Sequence, residues 1–403
     1  MRLPFIMLST LFVLSFCVDW LIYRDVKRAG HRWARWAWVA TALAMWALLA
    51  VTLLLPRRDA GADLQPVMWL LYTYLSLFIP KTVYALMSLV GMVLHRVQSM
   101  ARGVRIGGGV VALVCFGAMW WGALVGRTGI EVTRQDVVSE RLPKAFDGFK
   151  MVQISDIHCG TWGTDTAFMS RMVDTVNALQ PDVVVFTGDI VNRHSAELKP
   201  FVDVLGRLKA RYGVFSVLGN HDYGDYMDWP DEQAKRQDVR ALVDMQRSMG
   251  WQMLLNEHRW IRCGSDSIAL IGVENWGEPP FSVYGDLRKS YPDLMDSNYK
   301  VLLTHNPEHW NREVLAVSNI DLSLSGHTHA MQMVLSIGDW QWSPSVWKYK
   351  EWGGLYSKPN AEGKPLQLYV NIGLGEVALP FRLGATPEVT LLTLKGLYPR
   401  IST

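Results

Sequence analysis

KMVQISDIH, residues 150–158, runs an apolar β-type segment straight into a polar pair, and DVVVFTGDI, residues 182–190, does the same. Lys150–Ser155 and Asp182–Thr187 are short and largely apolar, as expected of strands buried on both faces. Between them Thr166–Leu179 places its apolar residues at helical spacing. Downstream the alternation continues. Glu197–Arg211 reads as a helix and Val214–Leu218 as a strand, and Val301–Thr304 and Ile320–Leu324 are further short apolar strands. Strands that alternate with helices predict an α/β domain, here over residues 149–403.

Each of these strands is followed at once by chemistry-bearing residues. Asp156-Ile157-His158 follows the first, Gly188-Asp189 the second and Gly219-Asn220-His221-Asp222 the third. His305 follows Val301–Thr304, and Gly326-His327-Thr328-His329 follows Ile320–Leu324. Open α/β folds place their sites at such strand ends, so all five clusters can share one crevice. Carboxylate and imidazole groups suit Mn, Fe, Zn and related divalent ions. On an extended strand end, Asp-x-His and His-x-His point both side chains to one side. Two ions about 3.5–4 Å apart suit in-line displacement at phosphorus, because they acidify a water and neutralise phosphoryl oxygens. Taken singly, a Gly-Asp is a turn signal and an Asn-His-Asp is a loop cluster. Five clusters in this order, each after a strand, do not fit that plain reading.

The set resembles the calcineurin-like metallophosphoesterases, whose pattern is D-x-H, G-D, G-N-H-D/E, H and G-H-x-H. The resemblance covers roughly Leu142 to Leu394, and every motif is present in order. Gly326–Gln332, Asn371–Gly375 and Pro380–Gly384 resemble the membrane-attached bacterial branch in particular. The resemblance implies a two-sheet sandwich flanked by helices and two divalent metal ions (Mn, Fe, Zn or Mg). It implies that Asp156, His158, Asp189 and His329 bind one ion. Asp189, Asn220, His305 and His327 would bind the other, with Asp189 bridging. His221 would contact the phosphate and donate a proton to the leaving group. In the phosphoprotein-phosphatase branch, the Gly-Asp motif continues to a second Asp that pairs with this histidine. Here Asn192 stands in that place, followed by Arg193. Asn192 is expected to orient His221 by a hydrogen bond without stabilising an imidazolium, which argues against strong protein phosphatase activity. Arg193 either grips a phosphate bidentately or is a surface arginine after a turn.

The first third of the chain has a different character. Of 403 residues, 50% are hydrophobic and only 19% charged, which points to membrane content. The apolar residues concentrate in Leu3–Tyr23, Trp36–Leu55, Val67–Leu94 and Gly109–Gly126. A spanning helix needs roughly 20 such residues, so residues 1–126 read as a transmembrane region of about four helices. A linker and entry segment over 127–148 follows. The third run is long enough to span if tilted, or is kinked at Pro80. The first run, with Arg2 ahead of it, reads as an uncleaved anchor rather than a signal peptide. Asp19, near the end of that run, and Lys81 are intramembrane charges, with Asp19 expected to face the interface. Arg24, Lys27, Arg28, Arg32 and Arg35 lie between runs one and two. Arg96, Arg102 and Arg105 lie between three and four. Only Arg57 and Arg58, beside Asp59 and Asp63, lie between two and three. The positive-inside rule then puts the protein in the inner (plasma) membrane with its catalytic domain on the extracytoplasmic side.

The expected partners are the membrane and a phosphate ester, lipid esters included. A net charge of +3 gives no case for nucleic acid. Four isolated cysteines indicate neither a disulfide framework nor a cysteine zinc site. A non-catalytic membrane receptor on the same scaffold would be expected to have lost ligands, and none is missing. Trp340–Trp352 mixes Trp340, Trp342, Trp347, Tyr349 and Trp352 with Lys348 and Lys350. That composition suits either a lipid interface or a packed aromatic loop.

Overall fold

The computed structural model describes residues 5–28, 30–56, 58–59, 61, 63–94, 96–278 and 282–398. Arg2, Leu3 and Arg57 lie outside them. The chain divides into two compact units, Met1–Val125 with Ala378–Phe381, and Gly126–Val377 with Arg382–Thr403.

The first unit is helical, with α1 (Phe5–Arg28), α2 (Arg32–Leu54), α3 (Leu64–Val93) and α4 (Gln98–Leu124). Among the described residues, Arg32–Leu54, Leu64–Val93 and Gln98–Thr128 are long and apolar enough to cross a membrane. Helix α3 continues through Pro80 over its 30 residues. Asp19 is not exposed on the helix surface. It is buried, forms an ion pair with Lys81 on α3, and accepts a hydrogen bond from Trp46 Nε1 at 3.2 Å on its Oδ2. Pairing is what makes a carboxylate tolerable among apolar helices.

Among the described residues, the second unit holds fourteen strands. In chain order they are β1 (Glu131–Ser139), β2 (Lys150–Ile154), β3 (Val183–Phe186), β4 (Val214–Ser216), β5 (Trp251–Met253), β6 (Glu257–Cys263) and β7 (Asp266–Gly272). Then come β8 (Lys300–Leu303), β9 (Leu322–Ser325), β10 (Leu335–Ile337), β11 (Trp340–Trp342), β12 (Gly354–Pro359), β13 (Pro365–Val370) and β14 (Glu388–Gly396). One six-stranded sheet has the order β1-β14-β2-β3-β4-β5 and another the order β12-β13-β9-β8-β7-β6. Strands β2 to β5 pair in parallel, as do β7, β8, β9 and β13. The segment 127–148, read as a linker, supplies the edge strand β1.

The two-residue period of a strand builds the layers. Met151, Val183, Val185 and Phe215 face Leu270, Val301, Leu303, Leu322 and Leu324 in the core between the sheets. The alternate residues Val152, Ile154, Val184 and Phe186 turn outward and pack on Phe168, Met172 and Val176 of α5 (Ala167–Ala178). On the far side, Ile271, Leu302 and Leu368 pack on Trp310 and Val314. The result is the expected two-sheet sandwich with helices on both outer faces. The helix expected over Glu197–Arg211 is instead a 3-10 turn, Ser195–Phe201, and a single α-turn, α6 (Val202–Leu205). Pro200 lies within this stretch and removes an amide donor. The long helix of the region is α7 (Glu232–Ser248).

Candidate metal centre

Parallel strands of both sheets end side by side, and the loops after β2, β3, β4, β8 and β9 supply the site. Two groups of ligand-type atoms converge there, each with all atoms within 4.8 Å of one another. They are Asp156, His158 and His329, and Asp189, His305 and His327. Each group draws on both sheets, so the site forms only when the sandwich closes.

Local backbone geometry is unusual at these residues. Asp156, His158, Asp189, His327 and His329 all have positive φ, between 48° and 73°. Side-chain-bearing residues rarely adopt this region, and such strain gathers where a site demands it. The motif glycines answer a different need, close approach. A Cβ on Gly219 would lie 2.2 Å from Asp189 Oδ1, and one on Gly326 would lie 2.0 Å from Ser155 Oγ.

The first group is sealed. His158 Nε2 and His329 Nε2 are 3.1 Å apart, and Asp156 Oδ1 is 3.1 Å from His329 Nε2. The backbone N–H of His327 donates to the Asp156 carboxylate at 3.0 and 3.1 Å. The second group is more open. His305 donates from Nδ1 to the Thr187 carbonyl at 2.8 Å, which turns its Nε2 toward Asp189 Oδ2 at 3.0 Å and Asn220 Oδ1 at 3.1 Å. His327 brings Nδ1 to 3.2 Å from His305 Nε2, while its Nε2 meets the Tyr349 hydroxyl at 2.8 Å. Asp189 Oδ2 also lies 3.7 Å from His158 Nε2, so one oxygen reaches toward both groups.

The electrostatics fit a cation site. Burial pushes up the carboxyls of Asp156 and Asp189, yet His329 beside the first and His305 beside the second bring both well below the usual carboxylate range. Burial would lower His305, but the Asp189 carboxylate overrides it and raises the imidazole to about 9. His305 thus supplies positive charge to two buried carboxylates, the service a divalent ion performs better. Burial, reinforced by His305, lowers His327 to about 3, leaving its lone pair free for coordination. The donor set therefore suits two divalent ions.

His221 stands beside both groups. Its ring stacks on Tyr226 with centroids 4.2 Å apart, and its backbone N–H donates to Asp189 Oδ1 at 2.8 Å. Its Nδ1 lies 2.6 Å from the carbonyl oxygen of Asn192, which can only accept, so Nδ1 carries a proton. The Asn192 side chain does not orient His221. Its Nδ2 donates instead to Thr161 Oγ1 at 3.1 Å, and the backbone carbonyl does the orienting. Arg193 is not a surface arginine. It is buried and its Nε donates to Glu197 Oε1 at 3.0 Å.

Four supporting residues had no role in the motif reading. Asp222 is fully buried and accepts backbone N–H bonds from Asp189, Ile190, Val191 and Gly219, fixing two motif loops together. Burial and the Asp189 charge raise its carboxyl to about 7. Arg382 is also buried. It donates to the carbonyls of Gly375, Ala385 and Ile372 and lies 3.3 Å from His329 Nδ1. Tyr226 and Tyr349 close the open group. Asp222 sat inside a motif, Arg382 in the quoted tail and Tyr349 in the tryptophan-rich segment, but nothing in their spacing announced these contacts.

Comparison with known proteins agrees with this geometry. Residues 149–331 match the family described as "Calcineurin-like phosphoesterase". Residues 1–127 match "Probable Calcineurin-like phosphoesterase, transmembrane domain". The chain is 29% identical to the metallophosphoesterase YkuE of Bacillus subtilis over 299 residues, covering 70% of this chain and 95% of that one. It is 28% identical to a zebrafish (Danio rerio) transmembrane protein with metallophosphoesterase domain, covering 80% and 71%. It is 29% identical to the UDP-2,3-diacylglucosamine pyrophosphatase LpxG of Chlamydia trachomatis, covering 65% and 88%.

Proposed function

We propose, from the premise that this chain is a membrane-associated calcineurin-like phosphoesterase and so a hydrolase of phosphoric esters, that it cleaves phosphate mono- or diesters of membrane lipids, lipid-linked pyrophosphates included. The observation that carries the two-ion reading is Asp189, whose Oδ2 lies 3.0 Å from His305 of one ligand group and 3.7 Å from His158 of the other. Asp156, His158, Asp189 and His329 would hold one ion, and Asp189, Asn220, His305 and His327 the other. Two divalent ions held there supply Lewis-acid charge at the phosphoryl oxygens and a water of lowered pKa. The chain's own part is to place these ligands, to keep water out of the sealed group, and to move a proton. His221 does the last. With Nδ1 committed to the Asn192 carbonyl, its Nε2 gives a proton to the leaving oxygen. The pyrophosphatase named among the relatives acts on a diacylated sugar nucleotide by its name, which supports a lipid-type ester for this chain too.

We place the protein in the inner membrane with the catalytic unit outside the cytoplasm. Support comes from the basic residues Arg24, Lys27 and Arg28 at the end of α1 and Arg32 and Arg35 at the start of α2. A cysteine at the exposed Gln233 should react with an impermeant thiol reagent in spheroplasts; protection there reverses the orientation.

The enzyme reading is tested on the full chain in detergent. Stripped of metal and assayed on aryl phosphate mono- and diesters, it should regain turnover with Mn²⁺, and His327→Ala should remain nearly inactive. Inactivity on every ester, lipids included, under each metal tried would sink the proposal.

A further inference from the structure

The loop that carries His327 and His329 continues into an exposed hairpin. Strands β10 and β11 pair only with each other, around a turn in which Gly338 has a φ of +59°. Ile337 is 75% exposed, Trp340 54% and Trp347, on the following turn, 79%. Met331, Leu335 and Val346 are exposed as well. Elsewhere on the catalytic unit, Leu397 and Tyr398 form one exposed apolar pair, and Val138, Trp260, Val283 and Met295 stand apart in sequence, the ordinary scatter of a protein surface. Six between Met331 and Trp347 are not ordinary.

The base of the hairpin is firmly mounted, so these side chains are presented and not merely loose. Ser343 Oγ donates to the Ala330 carbonyl at 2.6 Å, and Thr328 Oγ1 donates to the Trp352 carbonyl at 2.6 Å. Ser343 and Ser345 are fully buried. The same segment ends at Tyr349, whose hydroxyl touches His327. The hairpin is thus built onto the wall of the metal centre.

Its chemistry selects one occupant. Tryptophan, with an apolar body and one N–H, is the residue of the headgroup layer. Two lysines, Lys348 and Lys350, stand against one acid, Asp339, between Met331 and Lys350. Each basic residue near an anionic bilayer contributes about 1 kcal/mol. A protein partner would need no such charge, and a membrane is permanently available to a chain with spanning helices. We propose that the segment Met331–Lys350 seats in the headgroup layer of an anionic bilayer and loads lipid phosphate esters into the adjacent metal centre from that layer. The loading step rests on the phosphoesterase reading above; the seating does not.

The two parts are tested separately. The full chain, with Cys17, Cys115 and Cys263 changed to serine, is reconstituted in phosphatidylethanolamine–phosphatidylglycerol vesicles. A nitroxide is attached at Ile337→Cys, or at Gln233→Cys as the solvent control. Power saturation should give a ratio of oxygen to nickel-chelate access several-fold higher at 337 than at 233. Equal ratios would overturn the seating, as would dipolar broadening at 337, which would show a second copy covering the hairpin. For loading, Ile337→Ser/Trp340→Ser/Trp347→Ser is assayed on two diesters with the same leaving group. Hexadecyl 4-nitrophenyl phosphate is held in the bilayer and ethyl 4-nitrophenyl phosphate is free in solution. The variant should lose about tenfold on the first, about 1.4 kcal/mol, and stay within about twofold on the second. Equal loss on both overturns the loading. If the parent chain cleaves neither diester, the phosphoesterase reading fails, and the nitroxide ratio still decides the seating.

Discussion

Opposite ends of the same strands use the same side chain for different ends. At the N-terminal ends, Asp182 accepts the backbone N–H of Lys150 at 2.9 Å, and Asp321 accepts that of Lys300 at 2.9 Å. Each stitches neighbouring strands of one sheet, and neither lies in the left-handed backbone region. At the C-terminal ends, Asp156 and Asp189 are forced into that region with φ of 52° and 60°. There they meet imidazoles from the other sheet. Strain of this kind costs of order 1–3 kcal/mol per residue, and it persists only because the surrounding sandwich dictates it. One edge serves the fold; the other draws on the fold's stability to serve chemistry.

Exchanging aspartate for asparagine at both edges separates these roles most sharply. Asp189→Asn should lower turnover about a thousandfold, since on the proposed assignment several kcal/mol of charge stabilisation depend on the ions it would hold. It should also lower bound metal from two ions per chain, measured by elemental analysis. Asp182→Asn keeps an oxygen for Lys150 and should change turnover by less than about twofold. Full metal content and activity in Asp189→Asn would break the bridging assignment.

A smaller effect is expected at His221, whose proposed part is to lend a proton rather than charge. His221→Ala should cost about a hundredfold on alkyl esters, whose leaving oxygen needs protonation, and far less on 4-nitrophenyl esters, whose leaving oxygen does not. Equal losses on both would remove the general-acid role and leave only a contact. Smaller again is Tyr349→Phe, which removes one hydroxyl from His327 Nε2. Outer-shell partners of metal ligands are worth roughly 10–100-fold in affinity. Titration of the stripped chain with Mn²⁺ should show about a tenfold weaker second site and an unchanged first.

How far sequence could foresee this depends on whether a contact is local. The convergence of the candidate ligands could be read because each follows its own strand within a few residues, so strand and motif form one continuous signal. The sandwich layers could be read for the same reason, from alternation such as Met151 inward and Val152 outward. Arg382 and Tyr349 could not. Each reaches its histidine from 53 or 22 residues away, and packing of intervening loops sets the approach. Asn192 shows a subtler limit. Its position beside His221 was foreseeable, but the peptide carbonyl does the work, and any residue carries one. Strand β1 was hidden because its exposed, charged face reads as linker, and only β14 gives it a partner.

The N-terminal edge offers the last and smallest test in turnover. Burial raises the Asp321 carboxyl to about 6, with Arg141 at 3.1 Å and the Lys300 amide pulling against it. A carboxyl raised on folding favours the folded state while protonated. Its contribution is complete below about pH 4 and is lost as pH rises through 6, by up to about 3 kcal/mol. Asp321→Asn has no proton to lose there. Relative to the parent chain, its thermal midpoint in detergent should therefore climb by a few degrees between pH 4 and pH 7. Turnover at pH 7 should stay within about twofold, because Asp321 precedes β9 and the ligands follow it. A midpoint difference that falls with pH would mean that Arg141 outweighs burial, and that this edge is held by its ion pair after all.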